Sequence, residues 1–328
     1  MLINYLFIVL SAFLLGMLFI FIFKNLALKY KVLMPAGIPL VGGMGMGLAF
    51  VIVSLVGFFL YRGLSRETIG IIVASSMMLI FGVMDDWREL SISTKFLVQV
   101  IATSLLVFFG IRTQIVYIGN TLNLIITFIW VLAITNAFNH LDVIDGLTAG
   151  CAMITALAFL AVSLLNGDIK IAILSLSLFA AVLSCFVYNF PPAKIYMGNS
   201  GSHFLGFILA AIALAISYAS LERKIALLSP LLILGLPIFD TAFLILMRAK
   251  KAKSIFKKSD DHLALRFLRL GYSKIKTLLF MLILSLFFSL SGVLLSQASN
   301  TLGIIIIILA ATIGLAITRK MGKVSVDG

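Results

Sequence analysis

Apolar residues fill this chain in continuous runs, and the polar positions gather in the short stretches between them. The runs lie near 2–23, 40–60, 69–84, 95–110, 121–139, 148–165, 170–189, 203–219, 226–247, 277–297 and 301–318. A helix needs about 20 apolar residues to cross a bilayer, whereas a barrel strand would alternate over about 10. Lipid offers no partner for backbone polar groups, so such runs must close their hydrogen bonds within helices. The pattern predicts an all-α polytopic membrane protein with about eleven transmembrane helices. The first run has no basic segment before it and no small-residue cleavage site after it. That predicts a retained helix rather than a removed signal peptide.

Composition narrows the class further. Of 328 residues, 62% are hydrophobic and 11% charged, where soluble chains carry roughly 25% charged residues. Residues 1–328 therefore read as a single integral-membrane domain, with a basic loop at 248–276. Cys151 and Cys185 fall inside or beside apolar runs, where a free thiol behaves as a small hydrophobe.

Charge adds an orientation. The formal net charge is +13, and most of the 25 Lys and Arg fall in one alternate set of loops. The excess of basic residues in cytoplasmic loops then predicts an outside N-terminus and a cytoplasmic C-terminus. These residues suit an anionic membrane lipid surface, at about 1 kcal/mol each. Nucleic acid is a poor partner, because no soluble basic domain exists to carry it.

The unusual polar groups share the predicted cytoplasmic side. Asp85 and Asp86 end the third run, and Asp142 and Asp145 follow the fifth; carboxylates beside hydrocarbon need a cation, a partner or water. Neighbours on a helix point about 100° apart, so Asp85 and Asp86 would divide into a catalytic and an orienting carboxylate, or form a solvated helix end with Trp87 and Arg88. Asn136, Asn139, Asp142 and Asp145 recur every third residue and would form one helical stripe ending at Gly146. Such a stripe suits hydrated Mg²⁺ with phosphates, or a nucleoside. The segment MGNSGSHFLGF at 197–207 offers helix-start N–H groups to an anion, or ordinary capping by Ser200 or Ser202. Asp240 is an intramembrane carboxylate behind Pro237. Asp260, Asp261, His262 and Arg266 follow a lysine-rich run, and His262 and Arg266 would share a helix face. The glycine-rich GIPLVGGMGMG at 37–47 follows no strand, which excludes a dinucleotide loop and favours close helix packing.

The ordered set PLVGG, FGVMDD, NAFNHLDVIDGL, MGNSGSHFLGF, LPIFDT and DHLALR, from about 39 to 273, resembles the polyprenyl-phosphate N-acetylhexosamine-1-phosphate transferase family. The likeness is closer to its WecA/TagO-like branch than to its MraY-like branch (phospho-N-acetylmuramoyl-pentapeptide-transferases). The resemblance implies transfer of a sugar 1-phosphate from a UDP-sugar to undecaprenyl or another polyprenyl phosphate. UMP is released, Mg²⁺ or a substituting Mn²⁺ assists, and the product opens an envelope-polymer pathway. It implies a catalytic carboxylate at Asp85 or Asp86. Donor binding would fall to Asn136, Asn139, Asp142, Asp145 and Ser202, metal ligation to Asp142, Asp145 and Asn199, and the phosphates to His262 and Arg266. Three positions depart from the family pattern: Asn199 replaces a metal-binding Asp, Leu263-Ala264-Leu265 lack two histidines, and Val143-Ile144 replace Gly-x. A catalytically reduced relative that binds the same ligands is the alternative. A secondary transporter is disfavoured, because no internal repeat is visible. The sequence leaves the oligomeric state open, a homodimer included.

Overall fold

A computed structural model describes residues 2–60, 63–218, 222–251 and 261–324, and every regular element among them is helical apart from one isolated β-bridge. The helices are α1 (Leu2–Tyr30), α2 (Gly42–Leu60), α3 (Arg66–Trp87), α4 (Ile92–Phe108), α5 (Gly119–Leu141), α6 (Leu147–Leu165) and α7 (Ile169–Asn189). They continue as α8 (Gly198–Ala215), α9 (Ser229–Ile233), α10 (Gly235–Lys250), α11 (Leu263–Arg269), α12 (Lys274–Gln297) and α13 (Asn300–Met321).

Each of the eleven apolar runs coincides with a helix or a helix pair, but they are not eleven equal spans. Nine helices among the described residues are long and apolar enough to cross a membrane, and α4 is shorter. The ninth run is broken at Leu234 between α9 and α10, with a bend of 75°. Pro230 and Pro237 flank that break near the starts of the two pieces, where a missing N–H is tolerated. Of the expected basic loop, 248–250 extend α10, 263–269 form α11, and the lysine-rich 252–258 lie outside the described residues.

Helix α8 is the axis of the bundle, packed against α2, α3, α5, α6 and α7. Without a hydrophobic drive between helices in lipid, small residues supply the contact by letting backbones approach. A Cβ added at Gly82 would lie 2.4 Å from Ser200 Cα, and one at Gly206 would lie 2.7 Å from Thr135 Cα. The glycine-rich segment of α2 behaves as expected, with Gly43 against Gly201 and Gly45 against Ile20. By contrast α1 and α13 turn many large apolar side chains outward, including Leu14, Phe21, Ile305 and Leu315.

Candidate active site

The segments singled out in the sequence meet around the N-terminus of α8. The stretch before it pairs with the chain leading into α2: Tyr196 N donates to Pro39 O at 2.8 Å, and Gly42 N donates to Tyr196 O at 3.0 Å. Helix α8 has no side-chain cap of its own. Asp86 caps it from α3, accepting from Asn199 N at 2.6 Å and from Ser200 N at 2.9 Å. The anion predicted at this helix start is therefore a side chain of the protein, placed where N–H groups and dipole favour negative charge. Gly198 makes room for it: its φ is +76°, and a Cβ there would lie 2.5 Å from Asp86 Oδ2.

Asp85 has a different task. It is buried, forms an ion pair with Lys95 Nζ at 2.7 Å, and accepts from Leu90 N at 2.8 Å. Those bonds tie the end of α3 to the start of α4. Both acidic side chains thus have orienting bonds, and Trp87 is exposed beside them as expected for an interfacial anchor.

The stripe of Asn136, Asn139, Asp142 and Asp145 is only half helical. Helix α5 ends at Leu141, and residues 142–146 form a turn closed by Gly146 at φ +78°. Gly146 N donates to Asn189 Oδ1 at 2.9 Å, and Asn189 Nδ2 donates to Ile195 O at 2.9 Å, so one amide side chain pins the turn to the approach to α8. Asp favours such a turn over a helix interior, because its side chain competes for backbone groups. Asn136 leaves the group: it exchanges hydrogen bonds with Gln99 of α4, at 2.9 and 3.3 Å. Asn139 stays, and its Nδ2 donates to Asn199 Oδ1 at 3.1 Å and to Ser202 Oγ at 3.0 Å.

Asp142 lies just past the end of α5. Desolvation by the surrounding protein, and then the nearby charges of Asp86 and Asp145, push its carboxyl up to about 6. Asp145 accepts from Ala193 N at 3.4 Å and lies 3.6 Å from the exposed Lys274 ammonium. Among the described residues no three His, Cys, Asp or Glu side chains form a ready metal cage. Mg²⁺ does not need one, since it keeps several waters and commonly takes one or two carboxylates together with substrate phosphates. A carboxylate at Asp142 crowded by Asp86 and Asp145 fits that kind of site.

A second group borders the first. Asp240, buried in α10, faces His262 Nδ1 at 2.7 Å and accepts from Leu263 N at 2.9 Å. The His140 ring lies 6.4 Å from that of His262. Arg266 does not share this face in the way its spacing predicts. It is buried, its Nη2 donates to Asp261 Oδ1 at 2.7 Å, its Nη1 donates to the carbonyls of Met321 and Val324, and its guanidinium lies over the Phe243 ring. It clamps α11 to the end of α13 and has no fork left for a phosphate. Asp260 lies outside the described residues.

Comparison with known proteins supplies the family. The model of Glycosyl transferase family 4 matches residues 68–217. A probable undecaprenyl-phosphate N-acetylglucosaminyl 1-phosphate transferase of Bacillus subtilis is 33% identical over 82% of this chain and 76% of its own. The chain belongs to the polyprenyl-phosphate N-acetylhexosamine-1-phosphate transferase family. A second member, the decaprenyl-phosphate N-acetylglucosaminephosphotransferase of Mycobacterium tuberculosis, is 33% identical over 62% of this chain and 57% of its own. A phospho-N-acetylmuramoyl-pentapeptide-transferase of Limosilactobacillus fermentum is 34% identical over 40% of each chain. The Bacillus and Mycobacterium members are named for transfer to undecaprenyl and decaprenyl phosphate, and this chain is a glycosyl-1-phosphotransferase of that kind.

Within this family frame, the supporting residues were the hard part to see. Lys95, Gln99 and Asn189 each hold a singled-out segment in place; Lys95 and Asn189 lie near helix ends, while Gln99, in the middle of α4, gave no such hint. His140 lay inside NAFNHLDVIDGL, and its signal was a titratable ring in the last turn of a helix.

Proposed function

We propose that this chain transfers a HexNAc 1-phosphate from a UDP-sugar to undecaprenyl or another polyprenyl phosphate, at the cytoplasmic face, releasing UMP. The observation that carries this reading is the meeting of Asn139, Asn199 and Ser202 in one hydrogen-bonded group. It lies beside Asp86, with Asp142 and Asp145 at the adjoining helix end. In the reaction an oxygen of the lipid phosphate attacks the β-phosphorus of the donor. The new P–O bond forms as the bond from that phosphorus to the bridging oxygen breaks, and UMP departs with the bridging oxygen and its electron pair. A phosphate monoester is largely ionised near neutral pH, its second pKa being about 6, so the attack needs no strong base.

On this reading Asp86 is a positioning residue that fixes the start of α8, and Asp85 holds α3 to α4. Asn139 and Ser202 orient the donor. Asp142 and Asp145, with the Asn199 amide oxygen, would hold Mg²⁺, which supplies charge neutralisation between the phosphates when bound. The test is a panel of UDP-HexNAc donors incubated with purified protein, undecaprenyl phosphate and Mg²⁺. Release of UMP with at least one donor is expected. No release with any donor, while a related transferase works alongside, would sink the proposal.

A further inference from the structure

We infer that His140 and His262 together form an imidazole clamp for a phosphate oxygen of the nucleotide donor. The spacing of Arg266 from His262 makes it the obvious second donor. Yet that guanidinium is buried among Asp261, Met321, Val324 and Phe243, so another group must share the work.

His262 is buried, with one ring nitrogen already engaged. Asp240 engages its Nδ1, which leaves Nε2 on the far side of the ring. His140 comes from another element, the last turn of α5. Its side chain is exposed, and no described residue hydrogen-bonds to its ring. The two rings lie 6.4 Å apart between centroids, with planes inclined by 37°. That is too far for direct ring contact. It suits one shared acceptor: an oxygen taking an N–H from each ring at about 2.9 Å, with the usual angle at oxygen, places the centroids roughly 6–7 Å apart.

The place fits as well as the spacing. His140 follows Asn139, which reaches Asn199 and Ser202, in the same last turn of α5. An oxygen held by the pair would therefore border the group assigned to the donor. This inference rests on the proposed transferase reading for the identity of the ligand, but its test does not depend on turnover.

The chain has three histidines, so ¹³C-histidine labelling gives three imidazole signals, assigned with His140→Gln and His262→Gln. Titration of the full chain with UDP and Mg²⁺ should move the His140 and His262 signals along one binding curve and leave the buried His203 still. His140→Gln should weaken UDP binding about tenfold, the loss of one charge-assisted hydrogen bond, with an unchanged melting temperature. The inference is overturned if the His140 signal does not move, if UDP does not bind, or if His140→Gln binds UDP like the parent. A chain that binds UDP through both rings yet transfers no sugar phosphate would keep the clamp and remove the transferase reading.

Discussion

Asn139 reaches both Asn199 and Ser202 with one amide nitrogen, so it sets the side-chain register between α5 and α8. Asn199→Asp preserves the acceptor that Asn139 needs and restores a negative charge beside the proposed metal. UMP-release assays should show activity kept or raised, with less Mg²⁺ needed for half-maximal rate. Loss of activity would mean that Asn199 is not a weakened metal ligand. Asp142 allows a pH test. A carboxyl whose folded pKa is raised from 3.8 to about 6 destabilises the ligand-free fold above that pH and is neutral below the lower value. In metal-free buffer Asp142→Asn should therefore raise the melting temperature at about pH 7.5. The gain should fade as pH falls from 6 towards 4, while turnover is lost throughout. A variant that is less stable at neutral pH would contradict the crowding.

At the scale of elements, the helices were plainly legible and their use was not. Apolar runs report a helix because lipid permits little else, so the runs were visible as helical while the number of spans was not, and Gly42–Gly47 announced a close approach before any partner was known. The break at Leu234 and the end of α5 at Leu141 were hidden, since both depend on what the turn meets in space. Nor could spacing reveal that Arg266 is buried: an i, i+4 pair on a helix says which face two residues share, not which element covers it. Two tests belong here. Gly82→Ala would drive a methyl into Ser200 Cα and push α3 from α8, an overpacking that costs about 1–3 kcal/mol, read as a lowered melting temperature in detergent. Arg266→Lys should lower the melting temperature, because a single ammonium cannot replace the guanidinium's bonds to Asp261, Met321 and Val324 together. Its donor KM should stay unchanged. A raised KM at full stability would return Arg266 to the phosphates.

Across the whole molecule, one buried helix gathers three of the segments that the sequence marked as unusual. PLVGG docks on the strand-like approach to α8, FGVMDD supplies its cap, and NAFNHLDVIDGL brings the amide and carboxylate groups alongside it. The ordered motifs were legible as a family because they lie in sequence order; that they converge on α8 became clear only from the packing of α2, α3 and α5 around it. The central claim is that this convergence transfers a sugar phosphate to a lipid phosphate. Its most direct measurement follows a donor carrying ³²P at the β-phosphorus, mixed with undecaprenyl phosphate, Mg²⁺ and the purified chain, then partitioned into organic solvent. The account predicts that label enters the lipid phase with the parent protein and stays aqueous with Asp142→Asn. Label that stays aqueous with the parent, while a related transferase moves it, would contradict the account, and so would transfer by Asp142→Asn at the parental rate.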